Sequence, residues 1–257
     1  MNPIGNIYIT GDTHGDFERI EDFCKIFETT KKDVMIVLGD AGVNYFLDRR
    51  DEKLKQKLEK MPITFMLVRG NHEARPGTGW DKEDAESLSL IDCPEYAGTF
   101  MMEQEYPSIL YMLDGSVYTF NVRNRQLKAL AIGGAYSVDK QYRLQMQSLG
   151  LMDYKWFEDE QLTEEEMSQI LNNVRDRKFD YVLTHTCPLK DEPHHACMPF
   201  APADIDKTME EFLEKVKNSI TYKAWYCGHW HIDQTFRRMN FMYKKVAQLG
   251  GMYDHYE

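Results

Sequence analysis

Short apolar runs rich in β-branched residues alternate along this chain with stretches of helical periodicity, and the runs end in the same few residue types. Ile7–Thr10 leads into GDTHGD, Met35–Leu38 into GDAG, and Ile63–Val68 into RGNHEAR. Further on, Tyr181–Leu183 leads into THTCP and Ala224–Cys227 into GHWH. After the first run, Phe17, Ile20, Phe23, Cys24 and Phe27 fall on one face of a helix over residues 17–28. Arg49 to Lys60 reads as a highly charged helix that stops at Pro62. This alternation predicts an α/β chain with a mainly parallel sheet, which gathers the residues following each strand at one edge.

The middle of the chain reads differently. Ile109–Met112, Val117–Phe120 and Leu127–Ile132 are separated by Asp114-Gly115 and by the polar NVRNRQ, and predict hairpins in a second, mixed or antiparallel sheet. A helix with an acidic start is expected over Asp153–Arg175, another over about Asp204–Lys217, and a last strand over Phe241–Val246. The segment Thr186–Ala203 holds several prolines and the His194-His195 pair. It reads either as a loop covering a site or as a plain surface connection. Nothing repeats at a fixed period. Because ligand-type residues come from both halves, residues 1–257 are expected to form a single domain.

Forty-two acidic against 31 basic residues give a formal charge of −11, which disfavours a long footprint on nucleic acid or an anionic membrane. A short phosphate ligand stays open, because bound cations can supply the local positive charge. No apolar run is long enough to span a membrane. The start, MNPIGNIYITGD, lacks the pattern of a secretory signal. Five cysteines without a CxxC spacing suggest thiols in a reducing cytoplasm, and Cys187 and Cys227 read as ordinary buried cysteines.

Seven candidate metal ligands follow the strands: Asp12, His14, Asp40, Asn71, His185, His229 and His231. Five of the eight histidines lie in these segments, His72 being the fifth. Carboxylates, imidazoles and one amide, with no thiolate, suit manganese, iron or zinc better than calcium. Asp12 with His14, and His229 with His231, alternate in turns, so each pair can point at one ion. Asp40 is the natural bridging carboxylate. Two ions roughly 3.5–4 Å apart bring the pKa of a shared water near neutral and clamp the oxygens of a phosphoryl group, which is hydrolase chemistry. His72 cannot share the direction of Asn71 and is assigned to the leaving-group oxygen, as general acid or charged donor. Each of these short signals alone is an ordinary turn or a hydrogen-bonded histidine; their number and order carry the reading.

Taken together, GDTHGD, GDAG, GNHE, THTCP and GHWH resemble the calcineurin-like metallophosphoesterases, from Asp12 to His231. NHEA with GGAYS is similar to small bacterial and phage members, and the lariat-debranching phosphodiesterases are more distantly similar. The resemblance implies a four-layer α/β/β/α sandwich of two mixed sheets flanked by helices, with a binuclear metal centre at the strand ends. Asp12, His14, Asp40 and His231 would hold one ion; Asp40, Asn71, His185 and His229 would hold the other. The implied activity is hydrolysis of a small phosphomonoester or phosphodiester by in-line attack of a metal-bridging hydroxide. It would use two divalent ions, manganese foremost, with His72 beside the scissile bond.

The chain also departs from that pattern. Protein serine/threonine phosphatases of the family read GDYVDRG at the second motif, where this chain has Val43 and Asn44 in place of the His-orienting carboxylate and the phosphate-binding arginine. A protein phosphatase is therefore disfavoured, and His72 needs another partner. Arg75, Tyr136 and Arg143 are the expected substrate contacts, the latter two from GGAYSVDKQYR, read as a loop reaching the site. Arg75 reads equally well as a surface arginine before Pro76. Two alternatives stay open. A basic groove beside the metals would mark a nuclease, whereas an apolar or aromatic slot would mark a cyclic-nucleotide or other small-ester phosphodiesterase. A binding scaffold that kept the fold and lost the chemistry is the alternative of another class.

Overall fold

The computed structural model describes residues 5–79, 86–122, 125–151, 153–193 and 205–250. The first strands are β1 (Ile7–Thr10), β2 (Val34–Leu38), β3 (Thr64–Val68), β4 (Leu88–Cys93), β5 (Gly98–Glu103) and β6 (Ile109–Met112). A second group comprises β7 (Val117–Val122), β8 (Arg125–Ile132), β9 (Lys178–Thr184), β10 (Thr221–Cys227), β11 (Gln234–Phe236) and β12 (Met239–Phe241). The last, β13 (Ala247–Gln248), returns beside β1. They form a seven-stranded sheet of order β13-β1-β2-β3-β6-β5-β4 and a six-stranded sheet of order β11-β12-β10-β9-β8-β7. Both are mixed: β1, β2, β3 and β6 run parallel in the first, and β8, β9, β10 and β12 in the second.

Among the described residues five helices flank the sheets: α1 (Glu18–Phe27), α2 (Arg49–Lys60), α3 (Lys140–Ser148), α4 (Glu164–Val174) and α5 (Thr208–Ser219). The period of two along each strand sorts the apolar side chains into three layers. Ile7, Ile9, Ile36 and Met66 meet Tyr118, Phe120, Ala131 and Leu183 between the sheets. On the outer face of the first sheet, Tyr8, Met35, Val37 and Phe65 pack under Ile20 and Phe23 of α1 and Leu58 of α2. On the outer face of the second, Ile132, Val182 and Trp225 pack under Ile170 of α4 and Leu213 of α5. This is the expected four-layer sandwich.

Several elements differ from expectation. Ile109–Met112 does not join the second sheet; β6 pairs in parallel with β3, and the Asp114-Gly115 turn carries the chain across to β7. Only β7 and β8 form the expected hairpin. The helix expected over Asp153–Arg175 begins at Glu164, because Thr163 and Glu166 close a capping box there. The strand expected over Phe241–Val246 breaks after Phe241, where the Asp233 carboxylate accepts the backbone N–H groups of Tyr243, Lys244 and Lys245 in place of a ladder. From Lys140 the segment read as a loop is helix α3. The segment Thr186–Ala203 is described as far as Pro193, and its remainder, His194-His195 included, lies outside the described residues.

Candidate metal centre

Parallel pairing of β1, β2 and β3, and of β9 and β10, brings their carboxyl ends to one rim of the sandwich. Asp12 and His14 follow β1, Asp40 follows β2, Asn71 and His72 follow β3, His185 follows β9, and His229 and His231 follow β10. The turns are tight. Of nine described non-glycine residues with positive φ, four are His14, Asp40, His229 and His231. Left-handed backbone costs a non-glycine residue about 1–3 kcal/mol, so its concentration at these turns marks a site that holds side chains in place. At Gly70 a Cβ would collide with the Asp40 carboxylate, which explains the glycine of the GNH segment.

The two carboxylates are set in the same way. Asp40 accepts the backbone N–H of His72 on Oδ1 (2.8 Å), leaving Oδ2 to face His185 Nε2 at 3.6 Å and His14 Nδ1 at 4.0 Å. Asp12 accepts the N–H of His229 on Oδ1 (2.9 Å), leaving Oδ2 to face His231 Nε2 at 3.2 Å and His14 Nε2 at 3.8 Å. Both carboxyls are buried. Burial pushes Asp40 up, but the imidazoles of His185, His72 and His14 outweigh it and hold the carboxyl far below the usual carboxylate range. Burial likewise pushes Asp12 up, and the hydrogen bond from His231 with the nearby His185 brings it down overall.

The imidazoles are fixed from behind. His185 Nδ1 lies 2.7 Å from the Leu38 carbonyl, which can only accept, so Nδ1 carries a hydrogen and Nε2 is the nitrogen turned to the centre. That nitrogen faces Asn71 Oδ1 at 2.7 Å, while Asn71 Nδ2 donates to Ser137 Oγ at 2.8 Å. The Asn71 oxygen can only accept, so this contact takes either a hydrogen on Nε2 or a cation bound between the two atoms. His229 Nδ1 lies 3.1 Å from the same Asn71 oxygen. Burial and the neighbouring His185 push the pKa of His229 down to about 3, which keeps it neutral and able to donate an electron pair. On the other side, His14 Nε2 and His231 Nε2 approach to 3.0 Å, and the Tyr243 ring stacks on His231 at 4.7 Å. Asp12, His14 and His231 form one possible cation cluster, and Asp12, Asp40 and His185 another. The donor set fits divalent transition ions in oxygen–nitrogen coordination.

His72 stands beside this cluster. Its Nε2 is 3.5 Å from Arg143 Nη2, and its buried Nδ1 has no partner among the described residues. Burial lowers its pKa, and Arg143 adds to the effect. Arg143 is itself held by Asp139 (Nε to Oδ2, 2.8 Å) and by the Tyr45 hydroxyl (2.8 Å). That hydroxyl donates to the Asp153 carbonyl at 2.7 Å. An arginine on α3 therefore reaches His72 in a chain whose second motif lacks one. Tyr45 and Asp139 were not singled out in the sequence. The spacing of Asp139 and Arg143, four apart, would have marked them had α3 been recognised.

Tyr136 and Arg143 line the cavity of about 1140 Å³ that opens from the ligands, with His14, Asp40, Asn71, His72, His229 and His231 at one wall. Arg75 does not line it. Its guanidinium pairs with Glu166 at 2.6 Å and donates to the carbonyls of Asp159 (3.2 Å) and Gln161 (3.0 Å), which ties the third strand-end turn to the start of α4. Arg75→Ala is accordingly expected to lower stability by about 1–2 kcal/mol and to leave KM within about twofold. Arg143→Ala is expected to raise KM about tenfold, with a stability loss similar to that at Arg75 because its bonds to Asp139, Tyr45 and the Lys155 carbonyl are lost. Steady-state kinetics and thermal unfolding of the two variants check this; a large KM effect at Arg75 would reverse the assignment.

The described cysteines Cys24, Cys93, Cys187 and Cys227 are free, and no helix of the described residues is long and apolar enough to cross a membrane. The family model for calcineurin-like phosphoesterases matches residues 5–233. The comparison with curated proteins found no match.

Proposed function

We propose that this chain, which belongs to the calcineurin-like phosphoesterase family, hydrolyses a small phosphate ester at a centre of two divalent ions, manganese foremost, held by the seven strand-end side chains. Membership makes it a hydrolase of phosphate esters, and the Asp/His clusters support metal dependence. The observation that carries the reading is the convergence of Asp12, Asp40, His14, His185 and His231 in two overlapping clusters, with Asn71 Oδ1 and His229 Nδ1 beside them: a donor set of this kind fits divalent ions. Asp12, His14, Asp40 and His231 would hold one ion and Asp40, Asn71, His185 and His229 the other. Bound ions would supply Lewis acidity toward the phosphoryl oxygens and lower the pKa of a coordinated water.

The chain's own residues do the rest. Arg143, fixed by Asp139 and Tyr45, offers planar N–H donors to a phosphate oxygen beside His72. His72 would pass a proton or a hydrogen bond to the departing alkoxide, its backbone N–H meanwhile orienting Asp40. Tyr136 would contact the ester from the cavity floor. Mostly apolar lining favours a small ester over a nucleic acid strand, whose backbone needs a basic groove. We read residues 1–257 as one domain, since both sheets contribute ligands, and the free thiols support a reducing, cytoplasmic setting.

The test is manganese-dependent hydrolysis of p-nitrophenyl phosphate and of bis-p-nitrophenyl phosphate. Turnover of either is expected, and the preferred ester separates monoesterase from diesterase. Absence of turnover with ions demonstrably bound would leave a binding scaffold.

A further inference from the structure

We propose that the substrate carries one phosphate and no second anionic group, its alcohol being a flat, largely apolar and uncharged moiety that fills the cavity beyond the ligands. This rests on the phosphoesterase reading and narrows it to a substrate class.

A single phosphate occupies little of a cavity of about 1140 Å³. Pockets of roughly 300–1,000 Å³ already enclose drug-sized ligands, so the alcohol has ample room. The lining offers aromatic and apolar surface to a flat group at Tyr45, Phe46, Trp230 and Ile232. Aromatic faces of this kind take rings by stacking.

The charges around that space disfavour a second anion. Three cations line the cavity among the described residues, besides histidine, and each already has a carboxylate partner. Arg143 is paired with Asp139 at 2.8 Å, and Lys207 with Glu192 at 2.9 Å. Arg50 is paired with Asp48 at 2.8 Å and Asp153 at 2.6 Å, and lies over the Phe46 ring at 3.6 Å. Arg143 alone stands next to His72, where the phosphate would lie. Carboxyl groups outnumber these cations on the lining even without Asp40: Asp51, Asp139, Glu192, Asp206 and Glu210. Glu210 is 3 % exposed; its Oε1 accepts the Thr186 hydroxyl at 2.8 Å, and its Oε2 has no partner. The lining thus has a spare acceptor in Glu210 Oε2 and a spare donor in the Trp230 indole N–H, which has no partner among the described residues. An uncharged amide or hydroxyl on the alcohol can meet either; a carboxylate or second phosphate meets like charge from the lining carboxylates.

A matched pair of esters tests this: 4-carbamoylphenyl phosphate and 4-carboxyphenyl phosphate, each also as its methyl diester, with manganese-loaded protein. They share shape and differ in charge. The amide is expected to exceed the carboxylate by at least about tenfold in kcat/KM, with the gap carried by KM. In Glu192→Gln/Asp206→Asn the gap should narrow, because two carboxylates are gone while asparagine can still accept the Thr208 N–H that Asp206 now receives at 2.9 Å. Equal turnover of the two esters, or preference for the carboxylate, would overturn the charge inference and leave the phosphoesterase reading standing. Turnover of neither would overturn both.

Discussion

Asparagine in place of Asp40 will lower kcat/KM by about 10³-fold or more while the chain still folds. The substitution keeps the shape and keeps an oxygen to accept the His72 N–H now bound at 2.8 Å. What it removes is the negative charge on Oδ2, which faces His185 and His14 at 3.6 and 4.0 Å. Asp12 lies close by but its Oδ2 faces His231 at 3.2 Å, so without the Asp40 charge the two ions would lose the shared anionic ligand proposed for them. The metal-free variant should unfold at a temperature near that of the metal-free parent, and added manganese should raise its melting temperature far less than the parent's. Activity assays and thermal unfolding with and without manganese check both halves. A variant that keeps a tenth of the activity would remove Asp40 from the centre of the account.

His72→Ala carries the second large effect, about 10²–10⁴-fold in kcat for esters of poorly acidic alcohols. The loss should shrink sharply for p-nitrophenyl esters, whose leaving group departs without a proton. This contrast separates proton donation from structural support, because a merely structural histidine would slow both esters alike. The local geometry supports the first role: the ring lies beside the candidate ligand cluster, with Arg143 Nη2 3.5 Å from its Nε2, and it borders the cavity. Alanine keeps the backbone N–H that binds Asp40, so the ligand frame is preserved.

The candidate ligands could be singled out in the sequence because their chemistry is local. Asp12–His14 and His229–His231 lie within single turns, and each turn follows a strand whose β-branched run is itself a strong signal. Parallel pairing of these interior strands then brings the turns together. What was not legible depends on distant partners. Whether Ile109–Met112 pairs with β3 or β7 is decided by which sheet has an open edge, and its short apolar run suits either. β4 and β5 lie at the margin of the first sheet and are only half-buried, so their mixed polarity hid them. α3 buries none of its residues and so shows no apolar stripe to read. Its recognition would have placed Asp139 and Arg143 together. Arg75 could not be assigned from its neighbours, since its carboxylate partner is Glu166, supplied by α4.

The most direct measurement is activity regained by chelator-stripped protein as manganese is titrated in at protein concentrations well above the dissociation constants. The account predicts no hydrolysis without ion and full recovery at two equivalents per chain. Hydrolysis that persists after stripping, or recovery complete at one equivalent, would contradict a two-ion centre.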